Sequence, residues 1–148
     1  MQRKKVFISF DYTNDKHYKF LLTALSANSD FDLVFKDFSS NEINSTDISR
    51  VKAALTAKIN LATHTLIIVG KKVNEIHRDY RQIGFINWIN FEAHQSVING
   101  NKIIAVKTDP ANRHPEILYE LNKKGTKIKG RIINNFKIDE ITRALNQL

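Results

Sequence analysis

There is no cysteine in the 148 residues, so disulfides, thiolate metal sites and cysteine nucleophiles are excluded at the outset. No apolar run approaches the roughly 20 residues that a membrane helix needs. The start, Met1 to Ser9, sets basic residues before an apolar stretch of only about four residues, too short for a signal-peptide core. The expectation is a soluble, cytoplasmic protein. Glycine-rich phosphate loops are missing as well. Without Gly-x-Gly-x-x-Gly or a Walker sequence, neither an ordinary dinucleotide site nor a nucleoside triphosphatase is supported. The five glycines and two prolines fall without repeats, low-complexity tracts or a linker, so residues 1–148 are expected to form one domain, long enough to bury a core unaided. His17, His64, His77, His94 and His114 are scattered without metal-ligand spacing, so most are expected at surface or loop positions and no metal site is expected.

What is present is positive charge. The formal net charge is +8, and the densest cluster is Lys123, Lys124, Lys127, Lys129 and Arg131. A basic surface attracts nucleic acid, phosphorylated small molecules or acidic partners alike. The aromatics do not interleave with this cluster as a single-strand stacking platform requires, which leaves nucleic acid a minor hypothesis.

Along the chain, short apolar runs alternate with helical periodicity. Lys5–Phe10, Phe31–Phe35, Thr63–Val69, Asn101–Lys107 and Gly130–Ile133 read as strands. The third is expected at the centre and the second near an edge. Helices are expected after Asp15, carrying Tyr18, Leu21, Leu22 and Leu25 inward, and after the capping Asp47, with Ile48, Val51, Leu55, Ile59 and Ala62 as the buried stripe. Others are expected over Phe85–Ile98, Pro115–Leu121 and Ile138–Leu148, with a polar connection from Gly70 to Arg81. This alternation predicts a doubly wound three-layer α/β/α sandwich with a parallel sheet of about five strands, flavodoxin-like in outline. Ligands in such sheets bind beyond the carboxyl ends of the strands, at the switch in strand order.

Trp88 and Glu92 stand one helical turn apart on the segment that enters this edge. Ile86, Ile89, Ala93 and Val97 form its inward stripe, with the pair on the flank. Two readings are open: a boundary tryptophan above a solvated glutamate, or a carboxylate and an aromatic lining a pocket. A phospho-receiver shares the architecture but needs an acceptor aspartate after the third strand, where this chain has Val69-Gly-Lys-Lys72. A lone glutamate can serve a reaction that passes through an oxocarbenium-like ribosyl cation, because a carboxylate stabilises charge that develops only in the transition state. Ser9, within the first strand, reads as structural.

Val6-Phe-Ile-Ser-Phe10-Asp11 with Asp15 resembles the first motif of Toll/interleukin-1 receptor (TIR) domains, and Trp88-Ile-Asn-Phe-Glu92 matches their Trp-x-x-x-Glu pattern. Asp37 to Asp47 occupies the position of the loop that shapes the TIR site and drives assembly. Together with Gly100-Asn-Lys-Ile-Ile104, these resemble the bacterial TIR-like family that includes the Thoeris anti-phage TIR proteins, over roughly residues 4 to 110. The resemblance implies cleavage of the nicotinamide–ribose bond of NAD as substrate, with no cofactor. It also implies a cyclic ADP-ribose isomer as product, a separate effector protein activated by it, and self-association. Glu92 is then the catalytic carboxylate, and Trp88, Phe10 and Asp11 line the site. By position alone, Lys71 and Lys72 could meet phosphate, and Ser39 and Ser40 lie in the loop. The alternative is a non-catalytic TIR-like assembly module, for which a carboxylate at Glu92 has no use.

Overall fold

The computed structural model describes residues 3–11, 19–34 and 47–148. Five strands form one parallel sheet: β1 (Lys4–Ser9), β2 (Phe31–Leu33), β3 (His64–Val69), β4 (Lys102–Lys107) and β5 (Gly130–Ile133). Their order is β2-β1-β3-β4-β5, the flavodoxin-like order expected from the alternation. The third strand is central and the second lies at an edge, as expected. The helices are α1 (Lys19–Ser26), α2 (Ile48–Leu61), α3 (Tyr80–Ile83), α4 (Trp88–Ile98), α5 (Glu116–Lys123) and α6 (Ile138–Gln147). The short α3 falls at the end of the connection expected to be irregular. Asp15, Tyr18, Asp37, Ser39 and Ser40 lie outside the described residues, as do the side chains of Leu21 and Leu22.

Continuous apolar strands make sense because both sheet faces are covered. Val6, Ile8, Leu66, Ile68, Ile104 and Val106 pack with Leu25 of α1 and with Ile141, Ala144 and Leu145 of α6. The alternate residues face the other way. Phe7 meets Val51, Leu55 and Ile59 of α2 and Phe91 of α4, while Ile67, Val69, Ile103 and Ala105 meet Ile89 and Ala93 of α4. Each fully buried side chain of this size contributes about 1.5–3 kcal/mol.

The helix ends follow local chemistry. The Asp47 carboxylate accepts from Arg50 N at 3.1 Å, capping α2 as its sequence predicts. Asn87 does the same for α4, accepting from Asn90 N at 2.9 Å, so α4 starts at Trp88 and not at Phe85. Ile86 is thereby left outside the helix, its carbonyl accepting from His77 N. At the other end, Gly100 takes the left-handed conformation, φ +82°, that the Asn99-Gly100 stop requires. Lys4 Nζ donates to the carbonyls of Leu145 and Asn146, and Lys102 Nζ to that of Leu148, placing cations on the free carbonyls at the end of α6.

His64 is the exception among the histidines, lying in the strand expected from its apolar run. It is a buried strand residue, 3 % exposed, with Nδ1 2.7 Å from Thr63 Oγ1. Burial, helped by nearby Lys4 and Lys102, lowers its pKa to about 4, so the imidazole is neutral at physiological pH. No helix among the described residues is long and apolar enough to cross a membrane.

A buried polar chain links three elements beneath α4. Asn101 Nδ2 donates to Ile59 O at 3.1 Å and to Thr65 Oγ1 at 3.2 Å; Thr65 donates to Ser96 Oγ, and Ser96 donates to Glu92 O, each at 2.8 Å. Truncating Asn101 removes the donor to the buried Thr65 hydroxyl and one of the donors to Ile59 O, which keeps Ala62 N at 3.0 Å. Asn101→Ala is expected to lower stability by about 2 kcal/mol, seen as a shifted urea midpoint with an unchanged slope.

Candidate functional site

The connection after β1 runs to α1 on one face of the sheet, and the connection after β3 leads to α4 on the other. The carboxyl ends of these adjacent strands, at Ser9 and Val69, therefore flank the switch point. Ser9 is the last residue of β1 and shares the sheet face of Phe7, toward α2 and α4. Glu92 lies in the second turn of α4, above that end.

The two side chains meet. Ser9 Oγ donates to Glu92 Oε1 at 2.9 Å, with Ser9 fully buried and Glu92 7 % exposed. The solvated-glutamate reading fails because both flanks of α4 are covered, by α2 on one side and α5 on the other. Burial pushes the Glu92 carboxyl up to about 8, against the opposing pull of the Ser9 hydrogen bond. A carboxyl with this proton affinity is mostly protonated at neutral pH and becomes a carboxylate as the pH rises or a cation approaches.

Trp88 opens α4 half-buried one turn before Glu92. Its ring makes edge contacts with Phe91, centroids 5.7 Å apart, and with His77, 6.4 Å. Phe91 in turn meets Phe85 edge-on at 5.8 Å, and Lys52 Nζ sits 5.6 Å from the Phe91 centroid. The tryptophan is thus held by an aromatic group at the mouth of the edge.

Three asparagines fix the frame. Asn87 Nδ2 donates to Val73 O at 2.7 Å and Glu75 O at 2.9 Å, pinning the connection after β3 to the start of α4. Asn90, also buried, accepts from Ile117 N, and Asn74 accepts from Glu116 N, each at 2.9 Å. Two free amides at the start of α5 are therefore satisfied from outside the helix, since Pro115 supplies no side-chain cap.

The residues predicted to share the site separate into groups. Trp88 and Glu92 come together on α4. Phe10 follows β1 half-buried but packs with the opposite core, that of α1 and α6, so it does not share the face of Glu92. Asp11 follows it, half-buried at the same edge. Lys71 and Lys72 are exposed in the turn after β3. Ser39 lies outside the described residues. Ser9 and the asparagine frame were missed. The available signal for Ser9 was a hydroxyl at the carboxyl end of an otherwise apolar strand. No group of side chains able to hold a metal occurs among the described residues. A separate recess of about 310 Å³ lies between α5, β4 and β5, floored by Ile103, Ala105 and Leu118, and has no carboxylate in its lining.

The sequence matches the family model of the Thoeris protein ThsB, TIR-like domain, over residues 7–113, which include Ser9, Trp88 and Glu92. No curated protein matches it. Three solved structures are similar in fold. A Clostridium botulinum CMP N-glycosidase superposes with TM-score 0.53 at 12 % identity, covering 98 % of this chain and all of the other. A 2-deoxyribosyltransferase from the psychrotolerant bacterium Bacillus psychrosaccharolyticus gives 0.54 at 13 %, over 93 % and 89 %. A prokaryotic SEFIR domain gives 0.53 at 14 %, over 97 % and 88 %.

The raised Glu92 pKa has a thermodynamic sign. Between the ordinary carboxylate range and about pH 8, the folded protein retains a proton that the unfolded chain has released, so folding loses stability as pH rises through that window. Glu92→Gln is expected to melt close to wild type near pH 5. Near pH 8 it should be more stable by a few kcal/mol, at about 1.4 kcal/mol per pKa unit, and thermal melts across this range read the difference.

Proposed function

We propose that this chain, which belongs to the family of the Thoeris protein ThsB, TIR-like domain, cleaves the nicotinamide–ribose bond of NAD with Glu92 as the catalytic carboxylate. The observation that carries the reading is the buried Glu92 carboxyl at the switch point of the sheet, one helical turn from a half-buried tryptophan. The fold neighbours add an analogy only: one is named a CMP N-glycosidase and one a 2-deoxyribosyltransferase, so the architecture accommodates chemistry at nucleoside sugars.

The electrostatics suit this substrate. The nicotinamide ring of NAD is a cation, and its arrival beside Glu92 favours the ionised carboxylate over the neutral acid that burial prefers. As the C1′–N bond breaks, its electron pair leaves with nicotinamide, which departs neutral without a general acid. Positive charge passes to the ribosyl carbon and ring oxygen, where the Glu92 carboxylate stabilises it. Trp88 offers a surface for stacking, and Lys71 and Lys72 are near enough in the chain to the edge to attract the phosphates. The nucleophile that next reaches the ribosyl carbon decides the product. In this reading it is a group of the substrate itself, giving a cyclic ADP-ribose isomer to which a separate effector responds in anti-phage defence.

The test is nicotinamide release from NAD by concentrated protein, with products separated by mass. Wild type is expected to turn over NAD, faster as pH rises through the Glu92 titration. Glu92→Gln should lose at least 10²–10³-fold in kcat, and Trp88→Ala should act chiefly by raising KM. Absence of turnover in wild type, including in lysate from phage-infected cells, together with concentration-dependent self-association, would instead support the assembly module.

A further inference from the structure

The geometry points to Ser9 as the positioning residue of Glu92: its hydroxyl holds one carboxyl oxygen so that the other faces the reacting ribosyl carbon. This rests on the NAD-cleaving reading for its catalytic consequence, but its structural content does not.

The hydrogen bond links residues 83 apart in sequence and joins the carboxyl end of β1 to the second turn of α4. Both groups are withdrawn from water, where a side-chain hydrogen bond is not weakened by competing solvent. Oε1 is the oxygen engaged; Oε2 has no hydrogen-bond donor among the described residues. A glutamate side chain has three rotatable bonds, and one fixed oxygen removes most of that freedom before substrate arrives. The anchor itself is rigid. Ser9 is fully buried and aligned with Ile67 of the central strand, so its hydroxyl is placed by the sheet. A donor fixed in this way also favours the carboxylate over the acid, since a hydrogen bond donated to the charged form lowers its proton affinity. Positioning and ionisation thus come from one bond.

The experiment follows Glu92 directly and through activity. Carboxyl-carbon NMR of glutamate-labelled protein, assigned by comparison with Glu92→Gln, gives the Glu92 titration in wild type, Ser9→Ala and Ser9→Thr; urea melts confirm that each is folded. The midpoint is expected to rise by on the order of one pH unit in Ser9→Ala and to stay near wild type in Ser9→Thr, which keeps the hydroxyl. In the NAD assay, kcat/KM of Ser9→Ala at pH 7 should fall by about tenfold. The loss should lie in kcat more than in KM, and the pH profile should move in the alkaline direction. Should Ser9→Ala not fold, Ser9→Cys, close in volume and a weaker donor, takes its place with a smaller shift in the same direction.

An unmoved midpoint in Ser9→Ala overturns the proposal, as does a midpoint that moves equally in the alanine and threonine variants, since packing would then be its cause. A midpoint that moves while wild type shows no NAD turnover overturns the NAD reading and leaves the Ser9 assignment standing.

Discussion

Parallel strands cannot be joined by tight turns; each connection must travel back along the sheet before the next strand begins. In this chain that constraint sets nearly everything else. Every described crossover helix begins near the carboxyl edge of the sheet and runs toward the amino edge. The inner strands β1, β3 and β4, covered on both faces, carry no charge in their centres. What remains polar is displaced to the two edges: lysines on the helix end at one, and the serine, glutamate and asparagines at the other. Because β1 and β3 send their connections to opposite faces, the switch in strand order lies at the carboxyl end of β1, beside Ser9. The location of the candidate site is a consequence of topology before it is a matter of particular residues.

At that edge two effects oppose each other at one group. Burial favours the neutral acid, while the Ser9 hydroxyl favours the anion, and burial prevails. An apolar flank of α4 would be more stable in isolation. Residues that break a local rule in this way, without a packing gain, are where function is expected. The neighbouring polar core shows the contrast. Thr65, Ser96 and Asn101 are equally buried, but each is neutral and bonded, and their role is satisfied by structure alone.

Much of this was legible in the residues themselves. Asp47 marks the start of α2, and Val51, Leu55 and Ile59 mark its buried face, because caps and helical periodicity are local signals. The apolar run His64–Val69 announces the central strand through the absence of alternation. The placement of Glu92 near the ligand edge followed from counting elements. Its burial did not, because the covering comes from α2 and α5, elements distant in sequence. Phe10 was misplaced because strand alternation turns it away from Ser9, so adjacency in the chain became separation across the sheet. His64 shows the same rule, since its position in an apolar run, and not its residue type, decides its burial. The start of α4 was set three residues early because Ile86 fits the periodic stripe, yet the Asn87 cap decides where the helix begins.

The asparagines that join the connection after β3 to α4 and α5 have a further implication. Asn74, Asn87 and Asn90 bear no charge at any accessible pH, and their bonds are short and reach backbone groups. Counterions neither screen such a frame nor compete for it, in contrast to the surface ion pairs that often brace a helix. Acid, alkali and salt therefore act on the Glu92 carboxyl without acting on these amides. The helix that carries the carboxyl is set like an electrode in an inert mount, held by amides that answer to neither protons nor salt.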